Sequence, residues 1–426
     1  MSRAELFRYV GLEVSDDTVS GHFELDGRHF REDVSFEGVE TLRRPALIGV
    51  GQLWYLLAGL SYYKAGAARR IDLGDTPVGP RGRALFEAAL HDGLGEFSFR
   101  NDLPLDDVVI EGGHEATTYS PNLEPSRVLI PFGGGIDSVV TVESLAHLDR
   151  SLFILSPGGG RFAPLEATAA VTGLEVVRTT RHLDPQVLRG DDNFFNGHVP
   201  ITAMLTVLAA LAALASGHGA VAMSNEHSAS APNLRWRGRD INHQWSKSWA
   251  AEVLIGEALA ERVGTDFTVA SFLRDRSELW VAQRFAQARR YHRVFRSCNR
   301  AFAQLPDERE SHWCAHCDKC LFIDLILAPF IDRGELRDIF GAEPLSDPSL
   351  DESLRSLIGL GLEHKPFECV GDPDESAVAL RQVSQLPSWS DVTRLAELAR
   401  LTSPDRDVDE LLQPQGRSRV PAHWLR

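Results

Sequence analysis

Hydrophobic and polar positions follow two rhythms along this chain. In the first third they alternate. Residues 7–14, 19–25 and 29–36 read as three short strands joined by turns at Ser15-Asp16-Asp17 and Asp26-Gly27, a small antiparallel meander. The largely apolar stretch 45–63 opens on Pro45 and reads as a helix with proline in its first turn, and 81–91 reads as a second helix. Trp54, Tyr55, Tyr62 and Tyr63 read as core and interface, not as a binding cage. From residue 126 the rhythm changes. β-Branched runs at 128–132, 152–155, 175–179, 220–223 and 267–270 alternate with helical stretches at 138–148, 164–172, 199–215, 246–263 and 278–288. Repeated βα units predict a parallel sheet with helices on both faces, and ligands in such folds sit beyond the C-terminal strand ends. The expected class is α/β, divided into an N-terminal α+β domain (1–120), a nucleotide-binding domain (121–290), a cysteine-cluster segment (291–340) and a helical C-terminal cap (341–426). The cap is acidic and Pro-rich, with helical patches at 354–360, 376–382 and 390–398.

Composition narrows the picture. With 43% hydrophobic and 24% charged residues, the chain reads as a soluble globular protein. The apolar run 201–215 is Ala-rich and too short for a membrane span, so a buried helix is expected. The opening MSRAELFRYV lacks an apolar export core, and the expected location is cytoplasmic. A formal net charge of −16 argues against a nucleic-acid partner, which calls for a basic field. Any anionic ligand must meet local cations instead. One group is Arg235, Arg237 and Arg239; another is Arg289, Arg290, Arg293, Arg296 and Arg300, which reads equally well as a solvated helix face.

The strand at 128–132 runs straight into Gly133-Gly134-Gly135-Ile136-Asp137-Ser138 and then a helix. The chain has no G-x-x-x-x-G-K-[ST], and Gly49-Val50-Gly51 lacks the third glycine of a dinucleotide fingerprint. Bare glycine backbone before a helix N-terminus is an anion cradle. Gly134 and Gly135 would let amides approach phosphates closely, Ser138 would add a hydroxyl, and Asp137 would cap the helix or hold a metal ion or water. The same residues can also form a tight strand-to-helix turn with no ligand. The loop resembles the PP-loop of N-type ATP pyrophosphatases, S-G-G-x-D-S. That resemblance implies ATP and Mg2+ as cofactors, cleavage of ATP to AMP and pyrophosphate, and a PP-loop core fold. Gly133 stands where the pattern has Ser, and Ile136 where Lys is frequent, so one phosphate contact and one positive charge must come from elsewhere.

Two further blocks carry polar chemistry. Ser224-Asn225-Glu226-His227-Ser228-Ala229 follows a buried strand, and Asn242-His243-Gln244-Trp245-Ser246-Lys247-Ser248 opens a helix. So long and polar a connection at a strand end usually has its own task. Glu226 and Lys247 suit acid/base or charge-stabilising work, and Arg235, Arg237 and Arg239 suit carboxylates or phosphates. His227 and His243 read equally as hydrogen-bonded structural histidines, and Ser246 or Ser248 as a helix cap. Four of the five cysteines lie between 298 and 320. Cys314, Cys317 and Cys320 form C-x2-C-x2-C, and Cys298 completes four soft ligands for a structural Zn2+. His312 or His316 can replace one of them, and an iron–sulfur cluster is an alternative. Cys369 stands apart and reads as an ordinary small residue.

A PP-loop followed by a late four-Cys staple is similar to the 7-cyano-7-deazaguanine synthases, whose cysteines are more tightly spaced. The P-F-G-G-G-x-D-S loop, the S-N-E-x-S-A block with its N-H-Q-x-S-K-S partner and the C-x-x-C-x-K-C end together resemble a narrower family, the UDP-N-acetyl-α-D-muramoyl-L-alanyl-L-glutamate epimerases of peptidoglycan precursor synthesis. The likeness spans most of residues 126 to 330. It implies an isomerase acting on the terminal L-glutamate of a UDP-muramoyl dipeptide. Adenylating the α-carboxylate removes its charge and acidifies the neighbouring Cα–H bond. A base then takes the proton from one face, an acid returns one to the other, and hydrolysis releases the D-glutamyl product. Glu226, His227, His243 and Lys247 are the expected acid/base groups, with Asn225 and the three arginines expected to bind substrate. Cys314 and Cys317 as a two-thiol pair are the lesser option, because metal-bound thiolates shuttle protons poorly. The competing readings are another ATP pyrophosphatase, a ligase or a nucleobase- or tRNA-modifying enzyme, and a nucleotide-sensing module without turnover.

Overall fold

The computed structural model describes residues 2–121, 123–124, 126–189, 193–298, 300, 309–310, 312–361 and 365–426. Among the described residues twelve strands are formed: β1 Leu6–Val14, β2 Thr18–Leu25, β3 Arg28–Phe36, β4 Arg70–Asp72, β5 Val109–Glu111, β6 Arg127–Pro131, β7 Asp149–Pro157, β8 Val176–His182, β9 Ala220–Met223, β10 Leu234–Trp236, β11 Arg239–Ile241 and β12 Thr268–Ser271. Ten of them make one sheet in the order β12-β9-β6-β7-β8-β3-β2-β1-β4-β5, and β10 and β11 form a separate hairpin. The five strands from β12 to β8 are parallel. The meander then joins them edge to edge, with β3 antiparallel to β8 (Val34 opposite Arg181, Phe36 opposite Thr179). The expected break near residue 120 is therefore not a break in the sheet.

Side-chain alternation on the parallel strands builds two cores. Val128 and Ile130, Leu152 and Ile154, Ala220 and Ala222 face one core with the helices Ile136–Ser144, Glu278–Gln287 and Asp318–Leu327. Leu129, Phe153, Val221 and Met223 face the other, shared with Pro45–Tyr63, Ile201–Ala215 and Trp249–Val263. Strands buried on both faces read as continuous apolar runs, as these do. The aromatic residues Trp54, Tyr55, Tyr62 and Tyr63 are all buried in the second core. Among the described residues no helix is long and apolar enough to cross a membrane.

Chain order reverses at β6, which lies between β7 and β9. Such a switch point opens a crevice at the C-terminal strand ends. The glycine loop leaves β6 there, Ser224 to Glu226 leave β9 there, and Arg274 follows β12 on the same edge.

Candidate active site

The glycine loop is shaped by its neighbours. Gly134 sits at φ +73°, a conformation that favours glycine, and Gly135 is the extended N-cap of Ile136–Ser144. The Arg296 amide donates to the Gly134 carbonyl at 3.0 Å, and Ser297 lies so close that a Cβ on Gly135 would stand 2.6 Å from its Oγ. A Cβ on Gly133 would meet nothing within 4 Å, so the serine of the PP-loop pattern has room here. Ser138 Oγ donates to the Gly135 carbonyl at 3.1 Å. Asp137 does not cap the helix. Its Oδ1 is buried without a hydrogen-bond partner among the described residues, and its carboxyl is pushed up to about 7 by burial and then by the Glu226 carboxylate.

Glu226 comes off β9 almost fully buried, with Oε2 also lacking a partner among the described residues. Arg274 fastens this loop to the next one. It is 1% exposed, pairs with Glu252 at 2.8 Å, and donates to the Glu226 carbonyl at 3.0 Å and the Lys247 carbonyl at 2.6 Å. Ser248 caps Trp249–Val263, and Lys247 lies in the turn before it. Burial disfavours the Lys247 ammonium, but Cys369, Glu226 and Asp137 together hold it above its ordinary range. Glu278 is raised well above the carboxylate range by burial, Glu226 and Asp137. The site is thus a knot of carboxyls with Lys247 and Lys319 set among them.

His243 belongs to the same knot from the other side. Its Nδ1 lies 2.5 Å from Glu96 Oε2 on the helix Gly95–Arg100, and its ring is 4.3 Å from that of His198. Burial opposes its charge, yet hydrogen bonds to Cys369 and Glu96 push it up to about 9. His198 is pushed down to about 4 by burial and by His243. The segment that brings Cys369 is held by its backbone. Asn233 donates to the Pro366 carbonyl at 2.8 Å, Gln244 to that of Val370 at 3.0 Å, and Lys319 to that of Cys369. Burial raises the Cys369 thiol, but Lys247 first and His243 next outweigh it and bring it down to about 6.

The remaining expected residues lie apart from this knot. The His227 amide bonds the Arg276 carbonyl, and its ring faces Gly416. Its imidazole is lowered by burial and by Arg406. Asn225 anchors the loop by its backbone, which both donates to and accepts from Ser271 Oγ. Arg235, Arg237 and Arg239 stand on the exposed β10–β11 hairpin. Arg237 pairs with Asp102 at 2.8 Å, Arg239 with Asp106 at 2.5 Å, and Arg235 reaches the Gly238 carbonyl. A groove of about 330 Å3 lined by Val10, Leu12, His22 and Phe30 lies on the meander and contains no residue of the knot.

Cys298, Cys314, Cys317 and Cys320 converge, with all four sulfurs within 4.8 Å of one another. Four free thiols this close form a donor set that can hold a metal ion. His316 turns to the Cys314 carbonyl instead, at 2.6 Å. The cluster lies next to the glycine loop, because Cys298 follows the Arg296 and Ser297 that pack on Gly134 and Gly135.

Residues 1–272 match the MurL N-terminal domain, and residues 294–411 match the MurL C-terminal domain. This chain belongs to the MurL family. It is 42% identical over 351 residues to a relative from Micromonospora sp., covering 80% of this chain and 76% of that one. It is 38% identical over 372 residues to one from Salinispora tropica, covering 85% and 78%, and 35% identical over 384 residues to one from Xanthomonas oryzae pv. oryzae, covering 88% and 84%. All three are named UDP-N-acetyl-alpha-D-muramoyl-L-alanyl-L-glutamate epimerase. No solved structure matches the chain. The MurL domain boundary gives the knot a second meaning. Glu96, Asp137, Glu226, His243 and Lys247 come from the N-terminal domain, whereas Lys319 and Cys369 come from the C-terminal one.

Glu96, His198 and Cys369 are what sequence reading missed. None sits in a motif, and Cys369 had only its separation from the other four cysteines to mark it. Lys319 was visible inside the C-x-x-C-x-K-C end but carried no role.

Proposed function

We propose that this MurL-family chain epimerises the terminal L-glutamate of UDP-MurNAc-L-Ala-L-Glu to D-glutamate in peptidoglycan precursor synthesis, in the cytoplasm, through an ATP-derived adenylate of the α-carboxylate. The observation that carries the reading is a glycine loop and free helix N-terminus directly beside a buried set of acid/base groups, in a chain whose relatives bear that epimerase name. The amides of the loop and first helical turn suit the ATP phosphates. Asp137 and Glu226, each with an orphaned buried oxygen, fit a Mg2+ ion, which supplies charge neutralisation at the phosphates when bound. Lys247 and Lys319 offer positive charge where the loop has Ile136 instead of Lys. Glu226, His243 and Lys247 stand as proton-transfer candidates; His227 is the weakest, because its ring faces Gly416 and feels Arg406 rather than the knot. Releasing Asp102 and Asp106 would free Arg237 and Arg239 for the diphosphate of the substrate.

Four sulfurs at this separation fit Zn2+, which would clamp the segment 294–298 against the glycine loop. Elemental analysis should find one zinc per chain, lost in Cys317→Ser.

One incubation tests the reaction. ATP, magnesium and UDP-MurNAc-L-Ala-L-Glu in deuterated water should yield pyrophosphate and deuterium at the glutamate Cα. Pyrophosphate without deuterium would mean a ligase, and neither product would mean a sensor.

A further inference from the structure

Cys369 is the one cysteine outside the four-sulfur cluster. It is half-buried and comes from the domain opposite the glycine loop. Nothing in its backbone anchoring requires a thiol, since Asn233, Gln244 and Lys319 all hold the segment by carbonyl oxygens. The same anchors nonetheless set it beside two cationic groups, His243 and Lys247, whose charges bear on its thiol. His243 is itself locked on its other side by Glu96. Thiol, imidazole and carboxylate therefore stand together, the imidazole hydrogen-bonded to the carboxylate, an arrangement that prepares a thiolate for chemistry. Lys247 also faces a buried carboxyl, Glu226, that is 3% exposed and has an oxygen with no partner among the described residues. An unsatisfied buried oxygen marks a position a ligand or its counter-ion is meant to complete.

The closeness of Glu96, His198 and His243 alone would suit a cation. Their surroundings do not. Arg100 already pairs with Glu96 at 2.5 Å, and the Lys64 and Lys247 charges bear on His198. A hydrogen-bonded relay accounts for the trio better.

Resting on the epimerase reading above, we propose that Cys369 is the catalytic base that removes the Cα proton of the activated L-glutamyl residue, with His243 and Glu96 as its positioning residues. The Cα–H bond breaks and an S–H bond forms. The electron pair moves into the acyl carbonyl of the adenylate as an enolate. A protonated group on the opposite face then delivers its proton to Cα, and the electron pair returns to make the new C–H bond. Both groups regain their starting protonation by exchange with water, so no oxidant or reductant takes part.

The test uses the full chain with ATP, magnesium and the UDP-dipeptide in deuterated water. Cys369→Ala should keep ATP-dependent pyrophosphate release while losing Cα deuterium incorporation by ~10²–10⁴-fold, the usual contribution of a general base. Cys369→Ser should be similarly slow, because a hydroxyl does not ionise there. Unchanged deuterium incorporation in either variant overturns the proposal, and so does loss of pyrophosphate release together with it. If the wild-type protein releases no pyrophosphate and incorporates no deuterium, the epimerase reading itself has failed. A measurement on the unmutated chain guards against misfolding. Iodoacetamide labelling, located by peptide mass mapping, should remove deuterium incorporation in proportion to the fraction of Cys369 modified. Full labelling with incorporation intact overturns the proposal. His243→Gln should move the pH midpoint of that labelling upward; an unmoved midpoint removes His243 from the relay.

Discussion

Two buried groups of charges in this molecule invite comparison. One is the Glu32–Arg181 pair, at the seam where β3 of the meander meets β8 of the parallel sheet. Glu32 is 0% exposed, and Arg181 grips it through two bonds, at 2.6 and 3.1 Å, with Ser61 accepting a third at 3.3 Å. The other is the knot around Asp137, Glu226 and Lys247, where carboxyl oxygens are buried without partners among the described residues. The first group is closed: each charge has its opposite, and there is nothing left for a ligand to do. The second is open. Its carboxyls share too few cations, so protons are held where solvent would strip them. Burial alone does not mark a functional site. Unmet hydrogen-bonding capacity, not burial, separates these two groups.

The largest expected effect is on stability at the closed pair. Arg181→Ala leaves Glu32 charged and unpaired and should cost about 3–5 kcal/mol in urea unfolding. Glu226→Gln should do the reverse of this: unfolding free energy nearly unchanged or raised, with Cα deuterium exchange down by ~10²-fold or more if Glu226 serves the reaction. Equal stability losses in the two variants would erase the distinction. Next is the loop itself. Gly134→Ala imposes φ +73° on a residue with a Cβ and should cost roughly 1–2 kcal/mol.

The pH dependence follows from sign. Folding raises the Asp137 carboxyl from 3.8 to about 7, so the folded chain binds the extra proton between those values. Stability from this group falls as pH rises from about 4 to 7 and is level above. Asp137→Asn should therefore gain on the wild-type protein across that window in urea midpoints, then run parallel. His243 has the same sign in a higher window. Raised from 6.5 to about 9, it contributes fully below 6.5 and loses its contribution as pH climbs through 9. The smallest effect is at Gly133. Open space around its Cβ position means Gly133→Ser should change stability by no more than ~0.5 kcal/mol. Tighter ATP binding in that variant would show that the open position restores the phosphate contact of the PP-loop pattern.

Much of this protein was legible because its signals are local. The alternation of 7–36, the βα rhythm after 126 and the Gly133–Ser138 loop each depend on neighbours a few residues away. Boundaries shifted by small amounts for physical reasons. The helix expected from Ser138 begins at Ile136, because Gly135 takes the extended capping conformation. The convergence of Cys298 on Cys314, Cys317 and Cys320 was also expected, since thiols at this spacing have few other uses.

What the sequence determined, then, is a set of strands and helices and the residue types at the strand ends, because periodicity and turn chemistry act over one or two turns of chain. Tertiary structure alone decided that the meander extends the parallel sheet, since β3 and β8 pair across long sequence separation and are secured by the buried Glu32–Arg181 bridge. It alone decided that Glu96, His243 and Cys369, from three distant segments, meet at one place. No local pattern encodes that meeting. It exists because Arg274 ties two loops together and because Asn233 and Gln244 hold the 366–370 backbone across them.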